Sequence, residues 1–335
     1  MSNAQPDPAT AKGTARPLPT LPGQADRLLR QLEWNVVRKL DGLLQGDYRT
    51  LMRGSGLDLA DLREYQPHDD VRHIDWNVTA RLNAPHVRVF TEDREMSAWF
   101  LLDLSPSINF GPPGNAKRDI LTGFVAVLAR LLTRHGNRVG AMLYGTGGGP
   151  ERVVDAVLPP RSSRAHVLHL VHRLLQPAPA QQAGATQLQL LLQAAIGNIR
   201  RRSTVLVVSD FISTPGWEKP LAQLARRHDV VAVRLLDPLE LNLPDVGLVT
   251  LFDPETGEQL QVDTNDKGFR HRFARLAAER EAALRAGLTQ AGADTLELCT
   301  DDDLVDALLR FMDLRQHRVR PAFIPPNHPT AAQAA

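Results

Sequence analysis

The chain has 335 residues, 43% of them hydrophobic and 23% charged, which is enough apolar content to bury a large core and too much for a disordered chain. Its 39 Lys and Arg nearly cancel 38 Asp and Glu, so the basic excess that drives phosphate-backbone binding is missing, and nucleic acid is not an expected partner. One cysteine, Cys299, excludes an internal disulfide, and no apolar run reaches the roughly eighteen residues of a membrane helix; these features, with no basic and apolar leader pattern, predict a cytoplasmic protein without direct membrane insertion.

Residues 1–25 are rich in Pro, Ala and Thr without periodicity and are predicted as a flexible tail, as are residues 316–335. Between Asp26 and Leu44, the apolar residues Leu28, Leu29, Leu32, Val36, Val37, Leu40 and Leu43 recur at three- and four-residue steps, which predicts an amphipathic helix packed on the main body. From Tyr48 to Glu95 charge and turn residues dominate, and His86-Val87-Arg88-Val89-Phe90 alternates as a half-buried strand does. Helix and alternating segment together predict an N-terminal unit over 26–95, consisting of the helix and a small, mostly β module.

Beyond it, the pattern predicts a strand at Ala98–Asp103, a helix over Ala116–His135, strands at Arg138–Tyr144 and Arg152–Val157, helices over Ser163–Leu175 and Thr186–Arg200, and a strand at Thr204–Ser209. A helix near Trp217–His228 and a strand at Val230–Leu235 follow. Gly247–Phe252 and Gln259–Val262 then flank the loop Asp253–Glu258 as a hairpin insertion, near 240–264. A helix running through Phe269 and Phe273 stops near Gly292, a strand covers Thr295–Cys299, and Asp301 or Asp302 is the expected N-cap of a final helix. Such alternation predicts a mainly parallel sheet covered by helices over 96–315.

The chemistry gathers at strand ends. Asp103-Leu104-Ser105-Pro106-Ser107 directly follows the apolar run Ala98-Trp99-Phe100-Leu101-Leu102, so a carboxylate and two hydroxyls emerge where a buried strand ends. Mg²⁺ takes oxygen ligands in octahedral geometry and keeps water or a partner's oxygen among them, which such a loop suits. Thr186, opening a helix, and Asp210, closing the strand Thr204–Ser209, add a hydroxyl and a carboxylate. In an open parallel sheet ligands bind beyond the carboxyl ends of the strands, where the strand order reverses, so Asp103, Ser105, Ser107, Thr186 and Asp210 are the candidate metal ligands.

This order and spacing resemble the metal-ion-dependent adhesion site of von Willebrand factor A domains. Upstream, Leu62-Arg63-Glu64-Tyr65-Gln66-Pro67-His68-Asp69-Asp70-Val71-Arg72-His73-Ile74-Asp75-Trp76, followed by Thr79-Ala80-Arg81, is similar to the signature of the bacterial DUF58 family. The resemblance implies a von Willebrand A-like doubly wound sheet with helices on both faces. It also implies Mg²⁺, with Mn²⁺ or Ca²⁺ as substitutes, held by the five oxygen residues, and a shell completed by a partner's acidic side chain. As partner it implies a MoxR-type AAA+ ATPase, a client protein offering a carboxylate, or both, with the chain acting as a protein-binding adaptor and not an enzyme.

Two other readings remain open. In a phosphohydrolase-like enzyme Asp103 would be the nucleophile, but Ser105 stands where such chemistry needs a carboxylic acid as proton donor. In a metal-free scaffold the serines and Thr186 would be ordinary turn and cap residues. The charged group Asp61, Arg63, Glu64, Asp69, Asp70, Arg72, Asp75 and Arg81 is read as an internal network in preference to a docking surface. His68, Asp69, Asp70 and His73 do not make a transition-metal site, since adjacent positions rarely project toward one ion. Gly145-Thr146-Gly147-Gly148-Gly149-Pro150 lacks the Lys-Ser/Thr of a phosphate loop and is read as a connection. The helix arginines Arg270, Arg272, Arg275 and Arg280 are read as a solvated face.

Overall fold

Strands buried on both faces read as continuous apolar runs, and three such runs make the centre of the sheet: β3 (Ser97–Asp103), β6 (Thr204–Ser209) and β7 (Asp229–Leu236). The computed structural model describes residues 21–37, 40, 61–66, 76–82, 84–89, 97–112, 114–145, 154–176, 185–253, 255, 257–316 and 323–324. With β4 (Arg138–Tyr144), β5 (Ala156–Arg161), β10 (Asp294–Cys299) and β11 (Phe323–Ile324), the central strands form a seven-stranded sheet in the order β11-β10-β7-β6-β3-β4-β5. Every pairing is parallel except that of β5 with β4. The order reverses between β3 and β6, which are hydrogen-bonded neighbours although β4 and β5 lie between them in sequence.

Alternation distributes each strand between two cores. Ala98, Phe100 and Leu102 of β3 face a layer built from α1 (Leu21–Leu32), α3 (Lys117–Arg134), α4 (Arg164–Leu175) and α8 (Leu304–Gln316). Trp99 and Leu101 face α5 (Leu188–Asn198), α6 (Glu218–Arg227) and α7 (Lys267–Ala291). The result is the expected α/β sandwich with helices on both faces.

Several boundaries differ from expectation for identifiable reasons. β5 covers Ala156–Arg161, later than the predicted Arg152–Val157, and contains Pro159 and Pro160. It is an edge strand, where the missing proline N–H costs no ladder bond, and its register with β4 shifts between Val139 and Ala141. The first helix begins at Leu21, inside the expected tail, and passes into a π-turn at Glu33–Val37. Ala25, Leu29, Val36, Val37 and Leu40 enter the main core, and Asp26 meets Arg164 at 3.0 Å, so this helix shares the core of the large sheet. Phe323–Ile324, in the other expected tail, pairs with Thr295 and Leu296 as an edge strand.

The small module contains β1 (Asp61–Glu64) paired antiparallel with β2 (His86–Val89), and also a helix, α2 (Trp76–Leu82), where extended chain was expected. Asp69, Asp70, Arg72 and Asp75 of its charged group, the side chains of Asp61 and Arg63, the histidines His68 and His73, and residues 146–150 of the glycine run lie outside the described residues. The hairpin is present as expected: β8 (Leu248–Phe252) and β9 (Gln259–Asp263) form a separate two-stranded sheet. The last helix is capped by Asp303, whose Oδ1 accepts from Val305 N at 2.8 Å and Asp306 N at 3.2 Å, and not by Asp301 or Asp302. Cys299 is buried, and burial pushes its thiol up to about 11. Among the described residues no helix is long and apolar enough to cross a membrane.

Candidate metal centre

The carboxyl ends of β3, β4, β6, β7 and β10 meet on one rim, at the reversal of strand order. Asp103 ends β3 fully buried. Its Oδ1 accepts from Ser105 N at 3.0 Å and its Oδ2 from the Ser209 hydroxyl at 2.7 Å. The turn after it places the hydroxyls of Ser105 and Ser107 3.2 Å apart, both buried. Gly145 makes this turn possible: it sits at φ +92°, and a Cβ there would lie 2.6 Å from Ser105 N and 2.9 Å from the Leu104 carbonyl carbon. Gly145 thus serves the serine loop by letting the end of β4 pass against it, and Leu104 N donates to Tyr144 O at 2.7 Å.

Asp210 follows β6 and is also buried. Its Oδ1 accepts from Ile212 N at 3.0 Å, and its Oδ2 accepts from Lys117 Nζ at 2.7 Å. The next residue, Phe211, has φ +60°, a conformation costly for a non-glycine side chain that persists where surroundings over-determine it. Here Phe211 N donates to Ser209 Oγ at 2.9 Å and the ring packs edge-on against Trp217 at 5.2 Å. The twist keeps Ser209 aimed at Asp103 while Asp210 faces Lys117.

Lys117 was read in the sequence only as part of a helix. It is fully buried at the first position of α3, against the helix dipole, with its Nζ 2.7 Å from Asp210 and 2.7 Å from Glu240 Oε1. Burial works against its ammonium, but the charges of Asp210 and Glu240 outweigh that and hold Lys117 above its ordinary value. Glu240 belongs to the turn Pro238–Glu240 after β7, and burial pushes its carboxyl up despite Lys117. Among the described residues no cation pairs with Asp103: burial first, and the Asp210 charge second, push its carboxyl from 3.8 to about 6.

Thr186 stands at the same rim by a different connection. Tyr144 is in register with Asp103 across β3 and β4, and its hydroxyl accepts from Gln187 N at 2.9 Å. Burial pushes the Tyr144 phenol up, with the charges of Asp103 and Glu255 adding to it. The Thr186 side chain does not join Asp103, Ser105, Ser107 or Asp210; its hydroxyl and N–H both donate to Glu255, from the hairpin loop. Of the five expected ligands, hydrogen bonds link Asp103, Ser105 and Ser107, Asp210 lies near enough for its charge to act on Asp103, and Thr186 is engaged by Glu255.

The residues fit a divalent cation. Asp103, Asp210 and Glu240 oppose one ammonium, leaving two negative charges in excess in a buried cluster. Among the described residues no three His, Cys, Asp or Glu side chains converge as a metal-binding group, so a cation here would rely on Asp103 and Asp210 with hydroxyls and water, donors of the kind Mg²⁺ takes. Asp210 already accepts two hydrogen bonds but keeps lone pairs for a water.

Strand order and a ligand rim at the reversal define a von Willebrand A-like α/β protein. The family model described as "Protein of unknown function DUF58" matches residues 61–283, and the chain belongs to that family. An uncharacterised protein of Mycobacterium bovis is 38% identical over 289 residues, covering 86% of this chain and 89% of its own length. A shorter Paracoccus denitrificans protein, described as lying in the moxR 3' region, is 34% identical over 100 residues, 30% of this chain and 94% of that protein. Among solved structures, the conserved hypothetical protein BatB from Bacteroides thetaiotaomicron aligns with a TM-score of 0.42 at 12% identity, covering 67% of this chain and 100% of that one.

Proposed function

We propose that this protein is a metal-dependent protein-binding adaptor, working in the cytoplasm with a MoxR-type AAA+ ATPase in the assembly or maturation of client proteins. The observation that carries the reading is Asp103: a fully buried carboxylate held by Ser105 N and the Ser209 hydroxyl, with no cation paired to it among the described residues and a second carboxylate near enough to repel it. Such a group is costly to keep ionised unless a cation joins it. Mg²⁺ bound there would supply a Lewis-acidic position for a partner's carboxylate. Asp103, Ser105 and Ser107 would hold it, Asp210 would act through water, and Thr186 would complete the set. Among the described residues of the rim no nucleophile stands beside a poised base, which favours binding over turnover. The Paracoccus relative's location supports the ATPase as partner.

A metal-free scaffold is the competing reading, favoured by Lys117, which already supplies one positive charge to Asp210. Titration calorimetry with Mg²⁺ and Mn²⁺ separates the two. The adaptor reading expects heat that Asp103→Ala abolishes, and chelator-sensitive capture of the ATPase. Capture that survives both chelator and Asp103→Ala rejects the metal bridge.

A further inference from the structure

Thr186 offers two donors to one point, and both are engaged by a single carboxylate of the same chain. Its N–H donates to Glu255 Oε2 at 2.8 Å and its hydroxyl to Glu255 Oε1 at 2.5 Å. A bidentate grip on an ionised carboxylate is a strong form of hydrogen bonding and the means by which an incoming acidic side chain would be caught. The grip sits just before α5, and α5 is long enough for its amino-terminal dipole to favour an anion.

Glu255 lies 69 positions downstream, at the tip of an insertion that is not part of the main sheet. The loop shapes itself to present it: Asp253 Oδ1 accepts from Glu255 N at 2.9 Å, and Asp253 O accepts from Gly257 N at 2.9 Å. The base of the insertion is clamped, since Thr264 Oγ1 donates to Gly247 O at 2.7 Å and accepts from Val246 N at 3.0 Å, and Arg270 pairs with Asp245 at 3.2 Å. Between base and tip the two short strands expose Leu248, Phe252 and Leu260, and a two-stranded hairpin of this kind is marginal on its own. The hairpin is thus a strap fixed at one end and latched at the other by Glu255.

We infer that Glu255 is an internal competitor: the β8–β9 hairpin seats its own carboxylate on Thr186, where a partner's acidic side chain would bind, and holds the Thr186 hydroxyl away from the serine loop until the strap lifts. The inference rests on the metal-dependent reading above and adds its regulation. An acidic partner must displace Glu255, and the metal must recover Thr186 from it.

The test uses the full chain and Mn²⁺ alone, with free Mn²⁺ followed by electron paramagnetic resonance, in wild type, Glu255→Ala and Glu255→Asp. Aspartate keeps the charge while shortening the reach by one methylene, so agreement between the two variants assigns the effect to the contact and not to electrostatics. Both variants are expected to bind Mn²⁺ about fivefold tighter or more, the lower range of ordinary coupling between sites, and to exchange amide hydrogens faster over 246–264. Wild type that binds Mn²⁺ while both variants bind equally or more weakly overturns the competitor and leaves the metal reading standing. Absence of binding in all three proteins overturns the metal reading and the competitor with it.

Discussion

Two ionic clusters are buried against this sheet, and they differ in balance. Between β7, β10 and α7, Arg234 sits in register with Glu297, donates to it at 2.7 Å and grips Glu281 through both terminal nitrogens. Arg285 reaches Glu297 at 3.6 Å, so two cations meet two anions. At the rim, Lys117 serves Asp210 and Glu240, while among the described residues no cation pairs with Asp103. The first cluster is balanced in charge and fixes α7 to the sheet, although among the described residues Arg234 Nε and Glu297 Oε2 are buried without a hydrogen bond. In the unbalanced one an added positive charge would stabilise the ionised Asp103. Breaking each cluster in the same way should expose that difference.

The largest effects come from removing the central cation. Lys117→Met and Arg234→Met each leave buried carboxylates unpaired, and each is expected to lower stability by about 3–5 kcal/mol in urea unfolding near neutral pH. Millimolar Mg²⁺ should recover part of the Lys117→Met loss and none of the Arg234→Met loss. A Lys117→Met protein indifferent to Mg²⁺ would place both clusters in one structural class.

Next comes the carboxylate that no cation among the described residues pairs with. Asp103 is held at about 6 against an ordinary 3.8, by burial first and by Asp210 second. A carboxyl raised on folding binds protons more readily in the native state, so its contribution favours the fold at low pH and is lost as pH rises from about 4 to about 6. Two units correspond to about 3 kcal/mol. Asp103→Asn should therefore unfold at higher denaturant than wild type near neutral pH without metal, by up to about 3 kcal/mol, with the gap closing toward acid. Saturating Mg²⁺ should close it as well, by stabilising wild type alone.

Much of this geometry was legible in the chain because strand ends announce themselves. Apolar runs closing on Asp103 and Ser209-Asp210, and the hydroxyls spaced two apart after Asp103, follow from local pattern alone. The cations and the latch did not show, because each pairs across long separations that periodicity does not encode: Lys117 with Asp210 over 93 residues, and Thr186 with Glu255 over 69. Lys117 did carry a weak signal, a cation at a helix start where the dipole disfavours it. Arg234 carried a stronger one, as a charge inside the continuous strand Val230–Leu235. Pro159 and Pro160 lie in β5 beyond the expected Arg152–Val157, at an edge position that tolerates them.

The smallest expected effect decides whether the balanced cluster needs all four of its members. Arg285 is 38% exposed and approaches Glu297 at 3.6 Å, so water screens the pair and holding the long side chain costs entropy. Arg285→Gln should cost less than about 1 kcal/mol, and less still at high salt. Burial pushes the Glu297 carboxyl up while Arg234 pulls it down, so Glu297 shares with Asp103 the penalty of leaving water but has a guanidinium in contact. If Arg285→Gln instead cost as much as Arg234→Met, Arg234 alone would not suffice for its two carboxylates. The sheet would then hold two clusters short of positive charge, and the deficit at the rim would no longer mark Asp103 as the place built for a cation.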